Sequence, residues 1–190
     1  MPRQPDPELE ERVLHAADVL WRRGGERALT MRAVARAANT NTPAVYRRFK
    51  DREDLLRALV LRIVDRIRQA FEKRETMEEM AEAYVEWALA HPNEYRLFYS
   101  HSYVLSPRKG AVVGQPIRET RPNFALVEKV AARELGGTPE DHTELALQLW
   151  ALMHGATSML IERSIPAGHE ENLRKACRSA LKMFLENAKH

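Results

Sequence analysis

The sequence predicts an all-α protein: an N-terminal three-helix domain with a helix-turn-helix, joined by a long fourth helix to a C-terminal helical bundle, about nine helices in total. Three observations support this class. Apolar side chains recur with the helical period along nearly the whole chain, no stretch alternates as a strand would, and capping residues stand where the periodic stretches begin. We therefore expect a small N-terminal domain over residues 1–52 and a larger one over 53–190.

Composition narrows the class of protein. The chain has 190 residues, of which 44% are apolar, enough to bury a core. No apolar run approaches the roughly 20 residues that span a bilayer, and the polar stretch 1–11 lacks the apolar segment of a secretory signal, so we expect no membrane partner. The single cysteine, Cys177, cannot form an internal disulfide and predicts a cytoplasmic location.

The N-terminal helices follow from local signals. The first begins at Asp6-Pro7, carries an apolar stripe from Val13 to Trp21 and ends at Gly24-Gly25. Thr30 caps a second helix that reaches Ala38, and Asn39-Thr40-Asn41 interrupts it. A third helix covers about 42–49, and Asp51 caps the long fourth helix.

The remaining helices are marked in the same way. Thr76 and Glu79 form a capping box for the fifth helix, which stops near His91-Pro92. Asn93 is placed to cap the sixth. The predicted order then continues with a loop at 106–116, a seventh helix over 121–135, an eighth from 138 to about 163, a turn at 164–168, and a ninth with an apolar stripe from Leu173 to Leu185.

Charge is unevenly distributed along the chain. Residues 1–74 hold 17 basic against 11 acidic side chains, a net charge of +6, whereas residues 75–190 hold 13 against 16, a net charge of −3. A basic N-terminal part on a slightly acidic body suits a polyanionic partner at one end only. Surface charge also varies by chance, so the asymmetry by itself is compatible with a polyanionic partner and with ordinary surface variation.

Residues 30–50 carry the functional signal. Two short helices separated by a three-residue turn have the spacing of a helix-turn-helix, whose second helix enters the major groove of DNA. The inward positions are predicted to be apolar or small, and the outward positions of the second helix to be short near its start and basic or phenolic further on. The inward set is Val34, Ala35, Ala38, Val45 and Phe49, and the outward set is Thr42, Ala44, Tyr46, Arg47, Arg48 and Lys50.

The segment from about residue 10 to residue 59 resembles the DNA-binding domain of the TetR family of regulators. The resemblance is carried by L-T-M-R-A-V-A-R-A-A at the second helix, P-A-V-Y-R-R-F-K at the third and D-R-E-D-L-L at the start of the fourth. It implies a homodimer that binds a double-stranded, palindromic DNA operator. Together, the resemblance and the pattern predict these DNA-binding residues: Thr30, Arg32, Thr40, Asn41, Thr42, Pro43, Ala44, Tyr46, Arg47, Lys50 and Arg52.

Two residues depart from the family pattern in the turn. Asn39 stands where glycine is usual, and asparagine tolerates a left-handed backbone better than most residues do. Thr40 stands where the family usually has an apolar, core-facing residue. We expect its side chain either to bond to the local backbone or to reach DNA, and the sequence leaves both alternatives open.

The C-terminal part resembles, more weakly, a subgroup of TetR-family domains named for a Trp-His-Gly trio, here Trp150, His154 and Gly155. The matching segments are A-H-P-N-E-Y-R-L-F-Y and W-A-L-M-H-G. The eighth helix is apolar on almost every side, which predicts burial against the core on one side and against a second subunit on the other. We therefore expect a homodimer formed by the eighth and ninth helices.

Aromatic and sulfur-containing side chains gather on helices five to eight, in the composition typical of a small-molecule pocket. The resemblance implies an effector pocket there, whereas residue by residue a simple core remains the alternative. The predicted pocket residues are Trp87, Phe98, Tyr99, Tyr103, Phe124, Trp150, Met153 and His154.

No catalytic or metal-binding motif is found in the sequence. G-x-S-x-G, a P-loop, the Rossmann glycine pattern and H-E-x-x-H are all missing, and the seven histidines are scattered. We expect no catalytic residue, metal site or cofactor. The expected function is a ligand-responsive DNA-binding regulator, a repressor by family default, with a helical dimer module that binds no specific DNA as the alternative.

Overall fold

The computed structural model of the protein describes residues 8–105 and 116–188, and within these ranges every regular element is a helix. This confirms the predicted all-α class. The helices are α1 Leu9–Ala28, α2 Met31–Ala37, α3 Thr42–Arg48, α4 Arg52–Phe71, α5 Met77–Ala90, α6 Pro92–His101, α7 Ile117–Thr120, α8 Pro122–Leu135, α9 Thr143–Ile161 and α10 Glu170–Asn187, with 3₁₀ turns at Ser102–Leu105 and Pro139–His142.

Local hydrogen bonds explain where several helices begin. The Thr30 hydroxyl accepts from the backbone N–H of Ala33 at 3.1 Å at the start of α2. The Asp51 carboxylate accepts from the N–H of Asp54 at 2.8 Å at the start of α4. The predicted capping box at the start of α5 is present as well. These bonds satisfy backbone donors that have no partner inside the helix.

The boundaries depart from prediction at a few places. The predicted start of the first helix at Asp6-Pro7 and most of the predicted loop at 106–116 lie outside the described residues. Helix α1 continues to Ala28, but Gly25 has a φ of 61° and breaks its helical geometry where an end was predicted. The predicted eighth helix is divided into a 3₁₀ turn and α9, and the short helix α7 was not predicted.

The core of the N-terminal helices matches the predicted inward set. Val34 and Val45 are fully buried, and Ala35, Ala38 and Phe49 are nearly so. They meet the apolar face of α1, which is buried from Leu9 to Trp21. Small side chains at this junction let α2 and α3 approach each other closely.

Asn39 adopts the left-handed conformation that the sequence predicts, with a φ of 52°. Asn39 directly follows Ala38, the C-cap residue of α2. The N–H of Thr40 donates to the carbonyl oxygen of Ala35 at 2.9 Å. This bond closes α2 with a left-handed cap and turns the chain toward α3.

The chain is divided into two compact units. Of the described residues, the first unit comprises 8–63 and 93–105, and the second comprises 64–92 and 116–188. The first part of α4 and nearly all of α6 therefore belong to the same compact unit as the N-terminal helices. The predicted division into functional domains, 1–52 and 53–190, stays a prediction.

Hydrogen bonds and ion pairs join α6 to α1 within the first unit. The indole N–H of Trp21 donates to the carbonyl oxygen of Asn93 at 2.8 Å, and the side-chain amide of Asn93 donates to the carbonyl oxygen of Arg22, also at 2.8 Å. The Arg22 guanidinium lies 3.8 Å from the buried carboxylate of Glu94 and 3.3 Å from that of Asp18. Asn93 was predicted to cap α6, but the helix begins at Pro92 and Asn93 lies in its first turn.

The second unit is built around α9, which packs against α5, α8 and α10. The Glu134 carboxylate accepts from the N–H of Met77 at 2.7 Å and joins the end of α8 to the start of α5. One face of α9 remains exposed although it is apolar: Leu147, Ala151, Gly155 and Met159, at four-residue intervals. Among the helices that the structure describes, none is long and apolar enough to cross a bilayer.

The left-handed backbone at Asn39 leads to a first prediction. Asn39→Ala should lower the free energy of unfolding by about 1 kcal/mol. At positive φ the Cβ atom is disfavoured, and alanine lacks the polar side chain whose local hydrogen bonding makes this conformation tolerable for asparagine. Asn39→Gly should leave it unchanged or raise it slightly, since glycine adopts this conformation freely. Urea denaturation of the three proteins measures the difference, and an alanine variant as stable as the glycine variant would contradict it.

Candidate functional site

The helix-turn-helix consists of α2 and α3 and the turn between them. Both helices have seven residues, and the Asn41 side chain caps α3 by accepting from the N–H of Ala44 at 2.9 Å. Pro43 lies in the first turn of α3, where its missing N–H leaves no hydrogen bond unmade. The predicted spacing of two short helices around a tight turn is therefore present in the structure.

An open groove of about 1040 Å³, here called the arginine groove, lies between the start of α1, α2, the turn and α3. Five arginines line it, and none of the described residues that line it carries a carboxylate. The arginines are Arg12, Arg32, Arg36, Arg47 and Arg48. A concave surface with one sign of charge concentrates the electrostatic potential and attracts a polyanion.

Most of the predicted DNA-binding residues meet in this groove. Seven of them line it: Thr30, Arg32, Thr40, Asn41, Thr42, Ala44 and Arg47. The other four, Pro43, Tyr46, Lys50 and Arg52, are not among its lining residues, and Tyr46 is half exposed.

Ala44 does not have the outward position that the sequence predicted. The residue is only 4% exposed, so it lies on the buried side of α3. It nevertheless lines the arginine groove. The periodicity of a seven-residue helix is too short to separate the two faces reliably.

Three arginines of the groove, Arg12, Arg36 and Arg48, are absent from the predicted DNA-binding set, although Arg48 was predicted to point outward from α3. Arg36 stands four residues after Arg32, so the same face of α2 presents both, and this spacing is a signal that the sequence contains. Arg12 comes from α1, nearly 20 residues upstream. No local pattern connects it to α2, and only the packing of the helices brings it to the groove.

Arg52 forms an ion pair on the surface of the first unit. Its guanidinium donates to Glu26 Oε1 at 3.0 Å, and both side chains are well exposed. Nε2 of His101, on α6, lies 3.7 Å from the same carboxylate oxygen. The Trp21 ring meets the His101 ring edge to face, with centroids 5.7 Å apart. Glu26 therefore lies between a predicted DNA-binding arginine and α6.

Comparison with sequence families identifies both parts of the chain. Residues 13–59 match the family of bacterial regulatory proteins named for TetR, and residues 77–184 match a tetracyclin repressor-like C-terminal domain. The chain belongs to the TetR family. This TetR-family protein is accordingly a DNA-binding transcriptional regulator with a helix-turn-helix, and not an enzyme. Membership of the Trp-His-Gly subgroup stays a prediction.

Solved structures share the fold over nearly their whole length. A protein of unknown function from Rhodococcus sp. RHA1 is 23% identical, with 100% of both chains covered and a TM-score of 0.70. A possible TetR family regulator from Streptomyces coelicolor A3(2) is 21% identical, with 94% and 97% covered and a TM-score of 0.61. The multidrug binding protein EbrR, in complex with ethidium, is 19% identical, with 95% and 99% covered and a TM-score of 0.61. Comparison with the curated proteins gave no match.

The residues predicted to form an effector pocket belong to both units of this TetR-family protein. Phe98, Tyr99 and Tyr103 lie in the first unit, where Phe98 and Tyr99 meet edge to face with centroids 5.0 Å apart. Five lie in the second unit: Trp87, Phe124, Trp150, Met153 and His154. Tyr103 is largely exposed, whereas Phe98, Phe124 and Met153 are buried. Whether they form a pocket stays a prediction.

Burial on α9 lowers the pKa of His154 below its ordinary value of 6.5. The unfolded chain then takes up a proton at a higher pH than the folded chain does. The neutral side chain is thus compatible with folding above about pH 6.5, and stability is lost as the pH falls below that value.

We expect the free energy of unfolding of the wild type to fall more steeply between pH 7 and pH 5 than that of His154→Gln, which cannot titrate. His169→Gln is the matched control, because His169 is exposed. Denaturant titrations at several pH values measure the slopes. Equal slopes for the wild type and His154→Gln would show that burial of His154 does not govern this part of the pH dependence.

Proposed function

We propose that this TetR-family regulator binds a near-palindromic DNA operator through the arginine groove and α3, as a homodimer, and that a small-molecule effector weakens the binding. The observation that carries the proposal is the groove itself. Five arginines from three helices meet beside the helix-turn-helix, and none of the described residues that line the groove carries a carboxylate. This arrangement is what recognition of a phosphate backbone beside a reading helix requires.

The two ends of α3 suit different parts of DNA. Thr42 and Pro43, at its start, are short and suit contact with base edges in the major groove. Arg47 and Arg48, in its last turn, suit contact with phosphates or with guanine. Tyr46 projects from the surface, with half of its side chain exposed, and its hydroxyl suits a phosphate oxygen.

The homodimer is supported by the uncovered face of α9. Leu147 and Met159 are 37% and 40% exposed in the single chain, and Gly155 between them would meet no atom within 4 Å if it carried a Cβ. Glycine inside a helix costs stability, and no contact among the described residues of the subunit explains its use here. The close approach of a second α9 would explain it. Two copies would also present two reading helices for two half-sites.

Effector control is supported by the family and by the fold. EbrR, which shares the fold, is a multidrug binding protein whose structures contain ethidium or imidazole. An effector that binds one arrangement of the dimer better shifts the population toward it and lowers DNA affinity by that difference. Repression is the family default, and the single cysteine suits the reducing cytoplasm where such a regulator would act.

Arg47 tests the DNA interface. Arg47→Ala should weaken binding to an operator selected from a random DNA pool by roughly tenfold or more, and reduce the salt dependence by about one phosphate contact. Arg23→Ala removes the same charge from an exposed position of α1 outside the groove and should bind nearly as the wild type does. Fluorescence anisotropy at several salt concentrations compares the two. If both variants bind alike, the groove is not the interface.

Glu26 tests the contribution of Arg52. If Arg52 binds phosphate, Glu26 competes with DNA for its guanidinium, and Glu26→Gln should raise affinity about two- to fivefold. Glu72→Gln removes a carboxylate that pairs with Arg68 elsewhere on the surface, and it controls for the general loss of negative charge. The same anisotropy assay applies. Weaker binding by Glu26→Gln would instead mean that Glu26 positions Arg52 for DNA.

Leu147 tests the dimer interface. Leu147→Glu should convert the dimer to monomers, because an unpaired charge would be buried between the two copies of α9. Leu61→Glu places the same charge at an exposed leucine of α4, 47% exposed, and should leave the dimer intact. Analytical ultracentrifugation measures the mass, and circular dichroism checks the fold. A dimeric Leu147→Glu variant would place the interface elsewhere.

A further inference from the structure

Glu128, on α8 in the second unit, is a buried carboxylate, and only one of its two oxygens accepts hydrogen bonds from the described residues. Its side chain is 1% exposed. Oε1 accepts two hydrogen bonds, from the Thr143 hydroxyl at 2.7 Å and from the Arg118 guanidinium at 3.1 Å. Oε2 is buried and has no hydrogen-bond partner among the residues that the structure describes. A buried charged oxygen without a donor destabilises the folded chain.

The ion pairs around Glu128 leave an excess of negative charge. Arg118 also pairs with the Glu140 carboxylate, so one guanidinium serves two acids and the three side chains together carry a net charge of −1. Glu140 is largely exposed, and water screens its charge. Glu128 is buried, so water does not screen its carboxylate, and the excess negative charge acts mainly on neighbouring groups in the interior.

An aromatic pair includes a residue on the same face of α8 as this carboxylate. Phe124 precedes Glu128 by one helical turn, so the two side chains leave the same face of α8. The Phe124 and Trp150 rings meet at 61° with their centroids 6.2 Å apart. Aromatic faces attract organic cations, and a carboxylate next to them both accepts a hydrogen bond and supplies the opposite charge.

We propose that Glu128 binds the effector, and that the effector is a protonated organic amine with an apolar or aromatic body. The ammonium N–H donates to Glu128 Oε2, while Arg118 and Thr143 keep Oε1 and hold the carboxylate in place. The body of the effector contacts Phe124 and Trp150. The proposal rests on the proposed control by a small molecule and names its chemical class.

A binding experiment on the full-length protein tests the charge requirement. The probes are 2-phenylethylamine and cyclohexylmethylamine, each compared with the alcohol of the same shape, by isothermal titration calorimetry at pH 7. We expect the wild type to bind at least one amine, and to bind it ten times or more tightly than its alcohol. Failure to bind either amine, or equal affinity for amine and alcohol, would overturn the proposal.

Two matched variants locate the site. Glu128→Gln keeps an acceptor for Thr143 and Arg118 but removes the charge and the free acceptor, and should lose at least tenfold in amine affinity. Glu140→Gln removes the other carboxylate on the same arginine and should change amine affinity less than threefold. Unchanged amine binding by Glu128→Gln would overturn the assignment. If Glu128→Gln does not fold, as judged by its melting curve, the amine–alcohol comparison on the wild type decides.

Operator binding separates this proposal from the function on which it rests. If DNA binding is released by a neutral molecule and not by an amine, the regulator is ligand-responsive but Glu128 has only a structural role. If the amine binds at Glu128 and leaves operator affinity unchanged, the site is real but does not control DNA binding.

Discussion

The close approach of α2 and α3 depends on the small side chains that are buried where they meet α1. Ala35, Ala38 and Ala44 leave room for the two helix backbones, and Val34 and Val45 fill the remaining space without exposure to solvent. Interiors are packed densely, so a larger side chain at any of these positions would push the helices apart. The angle between α2 and α3, and with it the shape of the arginine groove, therefore rests on this junction.

The arginine groove is a consequence of that packing. Arginines repel one another, and five of them around one concavity are tolerated only because the helices that carry them are held by their buried faces. The electrostatic cost of bringing them together is recovered when a polyanion binds and its counterions are released. Stability and function thus come from opposite faces of the same short helices.

Bonds between α1 and α6 extend the first unit beyond the N-terminal helices. The side chain of Trp21 donates to the backbone carbonyl of Asn93, and the side chain of Asn93 donates to that of Arg22. Glu94 is buried beside Arg22. A segment that begins more than 70 residues downstream of Trp21 and Arg22 is therefore part of the unit that contains the helix-turn-helix. Because His101 and Arg52 face the same Glu26 oxygen, a displacement of α6 would alter the environment of a residue proposed to bind DNA.

The sequence by itself determined the helices, several of their caps and the left-handed backbone at Asn39, because these depend on hydrogen bonds and periodicity within a few residues. It also determined the family, through motifs that are continuous in the chain. Only the tertiary structure decided that Ala44 is buried, that Arg12 joins the arginine groove and that Glu128 has one unused oxygen. Each of these depends on packing between helices distant in sequence, and a local pattern contains no information about which helices meet.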